Sequence, residues 1–153
     1  MSYLAAETLI VEHLQQNMQT VPAKKVLTAA SLDGVMEETQ VTPAVQIIFL
    51  DDQPEEIEKG EFNSQFTNQL WHLIVVVRNV KDKSGRAARD EAGEIVAEVI
   101  SLLNGKHFKH PFGRMRRVKS PNRPTYREGF FYFPLLFVLR MKSTGSQAYR
   151  KPL

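Results

Sequence analysis

GFFYFPLLFVLR, residues Gly129 to Arg140, sets nine apolar side chains and a proline between a glycine and an arginine. A membrane-spanning helix needs roughly 18 or more apolar residues in sequence, and Arg140 and Lys142 close the run well before that. The stretch is therefore read as a strand with two apolar faces. FTNQLWHLIVVVRNV contains a second such strand, apolar on both faces from Leu70 to Val77. Side chains alternate along a strand, so two apolar faces mean that the sheet is covered on both sides. Proline cannot donate to a ladder, and Pro134 predicts that the last strand lies at an edge or carries a bulge.

Around these strands the chain switches period. Ala6, Leu9, Ile10, His13, Leu14 and Met18 gather on one side at 100° per residue, which predicts an amphipathic helix ending before Pro22. His13 falls on its apolar side and is read as a satisfied histidine. From Arg86, the residues Ala88, Ala92, Ile95, Val96, Val99, Leu102 and Leu103 share one arc, with Ser84 as N-cap and Asn104-Gly105 as the stop. AKKVLTAA (Ala23 to Ala30) and AVQIIFL (Ala44 to Leu50) read as strands around a turn at Asp33-Gly34. DDQPEEIEKGEFN reads as a polar loop or hairpin tip.

The fold class that follows is α+β: one sheet of about five mostly antiparallel strands with two helices packed on one face. Residues 1–142 are expected to form a single domain and residues 143–153 a flexible C-terminal tail. Two helices cover one face only, so the other must be covered by the curl of the sheet or by another chain. Substitutions at Phe131 and Phe133 are expected to tell the two faces apart.

Composition limits the chemistry. The 153 residues include no cysteine, which rules out disulfides, thiolate metal sites and a cysteine nucleophile. Glu7 and Glu12 interrupt the N-terminal apolar pattern, so a signal peptide is not expected. The acidic stretch from Asp51 to Glu61 matches no calcium-loop spacing and reads as a charged surface loop, although hard cations bind carboxylates and a metal-dependent nuclease is the corresponding enzyme reading. His107 and His110 are three apart, but Pro111 argues against the helix that would aim both at one metal. Gly85, Gly93, Gly105 and Gly113 are isolated, and neither Ser31 nor Ser84 sits in a nucleophile elbow. No catalytic, metal or cofactor site is legible.

The strongest anomaly is charge segregation. Lys106, Lys109, Arg114, Arg116, Arg117, Lys119, Arg123 and Arg127 fall in one span without an acidic residue. With Phe108, Phe112 and Tyr126 interleaved, the segment 106–127 would suit a small α+β nucleic-acid-binding module. An acidic loop and a basic segment on one chain also suit head-to-tail association with a salt-sensitive component.

The order of a short N-terminal helix, TPAVQIIFLDD, QLWHLIVVVRNV, the helix AARDEAGEIVAEVISLLNG and the terminal YREGFFYFPLLFVLR resembles the tail terminator, or tail completion, proteins of long-tailed phages and prophages. The resemblance covers roughly Ala5 to Arg140. It implies a structural subunit without catalytic residues or cofactor that forms a ring, often a hexamer, on the end of the tail tube. Such a ring halts tube polymerisation and presents the head-joining surface. Implied partners are further copies of the chain, the tail tube protein and a head-completion or connector protein. DNA would pass through without specific binding, and no membrane is involved. The implied location is the host cytoplasm during assembly and then the virion tail. Trp71, Phe130, Phe131 and Phe133 are the candidate subunit contacts. Arg114, Arg116, Arg117 and Lys119 form the candidate docking patch, and Asp51, Asp52, Glu55, Glu56 and Glu58 the candidate acidic loop facing the channel.

Overall fold

The computed structural model describes residues 2–37, 41–57, 63–81 and 83–145. In chain order they form α1 (Ala6–Asn17), a single 3-10 turn (Ala23–Lys25), β1 (Val26–Thr28), α2 (Leu32–Glu37), β2 (Ala44–Pro54), β3 (Ser64–Arg78), α3 (Arg86–Leu103), β4 (Phe112–Val118), β5 (Thr125–Arg127) and β6 (Phe130–Thr144). The sheet runs β1-β2-β3-β6-β4, with β5 also paired to β6. Only β1 and β2 are parallel; the other pairs are antiparallel. Among the described residues no helix is long and apolar enough to cross a membrane.

The two apolar runs become β3 and β6, which pair continuously from Ser64↔Thr144 to Arg78↔Phe130. Their odd-numbered side chains, including Trp71, Leu73, Val75, Phe131, Leu135, Phe137 and Leu139, meet Ile10 and Leu14 of α1 and Ala92, Ile95 and Val99 of α3 in the main core. Ile74, Val76 and Tyr132 point the other way and pack with Ile48 of β2 and Val35 of α2 in a smaller core. The α+β sheet with two helices on one face is thus present, with six strands and a third helix on the opposite face.

That third helix corrects the turn expected at Asp33-Gly34. Ser31 supplies what a helix start needs: its Oγ accepts the Gly34 N–H at 3.1 Å and its carbonyl accepts the Val35 N–H at 3.1 Å. Val35, left 2% exposed, rewards the helix by burial against the second face. Lys24 and Lys25 lie in the 3-10 turn, so the strand expected over Ala23 to Ala30 shrinks to three residues. The polar DDQP expected in a loop instead continues β2 past a bulge between Phe49 and Asp51, from Asp51↔Leu70 to Pro54↔Thr67. Long backbone ladders override the low strand propensity of aspartate there.

β6 is an interior strand, contrary to the edge expected from Pro134. On the side away from β3, β5 pairs residues Phe130 to Tyr132 and β4 pairs Leu136 to Met141. Pro134 falls in the gap between them, where neither neighbour asks for its missing N–H. Phe131 and Phe133 are two apart and share the α1/α3 face, their rings meeting edge to face with centroids 6.3 Å apart, so that pair does not distinguish the faces. Phe130 and Phe131 do. At the head of α3 the cap residue is Gly85, in the left-handed region at φ 74°, while the expected Ser84 accepts the Arg86 N–H at 3.3 Å through its hydroxyl. Asn104 does cap the C-terminus.

Candidate interaction surfaces

Register decides which candidate residues meet. Trp71 is 0% exposed, lies edge to face against Phe49 and donates its indole N–H to Gln69 Oε1 at 3.2 Å. Phe131, paired with Val77 six residues further along the ladder, is buried in the same main core, with Phe133 half-buried at the margin. Phe130 stands on the opposite face, half-buried, with the Arg78 guanidinium 5.5 Å from its ring centre.

Alternation along β4 divides the basic candidates. Met115 pairs with Leu139 and points into the main core, which turns Arg116, paired with Val138, to the second face. Arg114 joins Arg116 in lining a groove and donates to the Gly105 carbonyl at 2.9 Å. Arg117 pairs with Phe137, on the main-core face, and its backbone N–H is held by Asn104 Oδ1 at 2.9 Å. Lys119 is exposed just past the strand.

The acidic candidates divide in the same way. Asp52 turns to the helix side, where its carboxylate accepts the Tyr3 hydroxyl at 2.7 Å. Asp51, paired with Leu70, is exposed on the second face. Glu55 follows the end of β2 and takes two hydrogen bonds from Arg140, at 2.8 and 2.9 Å, and one from Asn68 at 3.0 Å. The Arg140 hydrogen bonds, with its nearby charge, hold the Glu55 carboxyl below the usual carboxylate range despite some desolvation. Glu56 is exposed, and Glu58 lies outside the described residues.

Of these candidates Glu55, Arg114 and Arg116 meet at a groove of about 600 Å³ at one end of the second face, lined also by Phe66, Arg140, Lys142 and the turn before β4. The Arg140 guanidinium stacks 3.6 Å from the Phe66 ring centre, and the Lys142 ammonium lies 5.8 Å from it. Phe66, Arg140 and Lys142 were not singled out from the sequence. The available signal was period two: cations two apart on a strand share a face, and Arg140 and Lys142 do.

Further along the same face His72 is 1% exposed, and its Nε2 bonds Ser120 Oγ at 2.9 Å, tying the segment after β4 over the sheet. Burial pushes the His72 pKa below the usual imidazole value. His13, on the helix side, bonds the Leu102 carbonyl through Nε2 at 3.0 Å. Among the described residues no three His, Asp or Glu side chains gather at metal-ligating distance.

A family model described as phage tail terminator protein matches residues 1–147. Among solved structures the fold is similar to a chain of the virion of a native gene transfer agent particle, with TM-score 0.59 and 13% identity over 93% of this chain and 100% of that one. No curated protein matches the sequence.

Proposed function

Because the chain belongs to the phage tail terminator family, a family of structural tail proteins, we propose that it caps the tail tube as a ring, hexameric as the sequence resemblance implies, that stops tube growth and offers the head-joining surface. The observation that carries this reading is the family match across 147 of the 153 residues. The sheet supports it: besides its packed core it presents, at one end of the second face, an open amphipathic groove suited to contact between proteins. Phe130 and Phe133, neither fully buried in the protomer, remain candidate subunit contacts, whereas Trp71 has no surface to contribute. Lys119, exposed outside the groove, is a candidate docking residue for the tube or the head. Asp51 and Glu56 are candidates for a channel wall that repels the phosphate backbone and lets DNA slide.

The test is reconstitution. Purified chain added to polymerising tube subunits should shorten the tubes and leave a ring of extra density at one end of each. Tubes of unchanged length with bare ends would overturn the reading. Strong, steeply salt-dependent binding to duplex DNA would instead favour a nucleic-acid module using segment 106–127.

A further inference from the structure

The fold separates charge by layer. Along all of α1, and from Asp90 to the end of α3, there is no lysine or arginine; every formal charge there is a carboxylate, Glu7, Glu12, Asp90, Glu91, Glu94 and Glu98. Glu98 is engaged by Gln19 and Thr20, and Asp90 lies 3.9 Å from Arg86 in an exposed, weak i,i+4 pair, whereas Glu12 and Glu94 are exposed. On the other side of the sheet the groove carries Arg114, Arg116, Arg140 and Lys142 against Glu55 alone, and Glu55 is already bound to Arg140. With Arg86 and Arg89 at the head of α3 against six carboxylates, the helix layer presents an excess of anions outward, and the groove behind the sheet an excess of cations.

The geometry points to the groove as the seat for the acidic helix layer of a second copy of this chain, with Asp90 and Glu94 of one copy facing Arg114, Arg116 and Lys142 of the next. This deepens the ring reading and rests on it. A closed ring needs two different complementary surfaces that face apart on each subunit. The helices and the groove lie on opposite sides of one sheet and meet that requirement. The acidic residues Asp51 and Glu55 do not, because they stand beside the groove on the same face of the same protomer. A protein occupant fits better than a phosphate backbone, since the half-buried Phe66 and Pro111 give the groove apolar surface and Glu55 would repel phosphate. Individual exposed charge pairs are weak, and it is their clustering on both surfaces that makes the contact selective.

The experiment uses the full chain and two double variants, Arg114→Glu with Arg116→Glu and Asp90→Lys with Glu94→Lys, each first shown by circular dichroism to be folded. Light scattering at low salt should find the wild-type chain assembled and each variant alone reduced at least tenfold in assembled fraction. A 1:1 mixture should assemble again, because in a ring that alternates the two variants each reversed groove meets a reversed ridge and each native groove a native ridge, opposite in sign at every contact. If either double variant fails to fold, the single reversals Lys142→Glu and Glu94→Lys replace them with the same expected pattern. Variants that assemble alone like the wild type, or a mixture that stays unassembled, overturn the docking and leave the ring reading standing. A groove that takes up acidic tail tube protein while self-assembly is insensitive to all reversals overturns it as well. A wild-type chain that forms no ring, alone or on tube ends, overturns both.

Discussion

Glu98 shows how one side chain ties the N-terminal segment to the body of the fold. Its carboxylate accepts the Gln19 N–H at 2.9 Å, the Thr20 N–H at 3.0 Å and the Thr20 hydroxyl at 2.6 Å, closing the turn that follows α1 onto α3. Desolvation pushes its pKa up, but these bonds outweigh it and the net shift is downward from 4.5. A carboxyl whose folded pKa is lowered contributes fully above the unfolded value, and the contribution is lost as pH falls through the folded value. Glu98→Gln should therefore lower stability by about 1 kcal/mol at neutral pH. Chemical denaturation at successive pH values should show the two proteins converging below pH 4; a constant gap would contradict the assignment. At His72 burial itself lowers the pKa, so here too stability declines as pH falls below the unfolded value of 6.5. Replacing Trp71, wholly enclosed in the main core, by alanine should cost about 3–5 kcal/mol in the same assay. His13 was legible from its place on an apolar stripe. Glu98 was not, because its partners stand 78 and 79 positions away and no local pattern announces them.

At the scale of elements, the β5–β6 hairpin turns on two residues. Arg127 pairs with Phe130, and between them Glu128 and Gly129 take φ values of 53° and 83°. Positive φ at both central positions is the turn whose twist matches the flanking strands, and it favours glycine and asparagine. Gly129→Ala should cost about 1–2 kcal/mol, since a side chain in this region is strained, and its Cβ would also meet Val80 Cγ1 at 3.2 Å. Glu128→Asn should leave the melting temperature equal or higher. A stabilising Gly129→Ala would refute this view of the turn. The long helix and the two apolar strands were legible because their periods persist over many residues. α2 and β5 were missed because six and three residues carry too little pattern; α2 is held by distant strands, and β5 only by its hairpin pairing to β6. The interior place of β6 was hidden because Pro134 is tolerated through a gap between two neighbours, which only the assembled register reveals.

The whole molecule joins a packed sheet to two unlike outer surfaces, an acidic helix layer and a basic groove behind the sheet. The sequence showed the basic run and an acidic loop, but strand alternation decided the outcome: Arg116 and Arg117 turned to different faces, and Arg140 and Lys142 joined Arg114 and Arg116. A tube built by repeated stacking has no intrinsic end, and a subunit with two dissimilar faces can supply one by matching the tube on one side only. The central claim is that this chain is that terminator. The most direct measurement is tail length and head attachment, by electron microscopy, in particles made after removal of the gene that encodes it. Tails of unregulated length, unjoined beside filled heads and corrected when the protein is supplied, are the predicted result; tails of normal length joined to heads would contradict it.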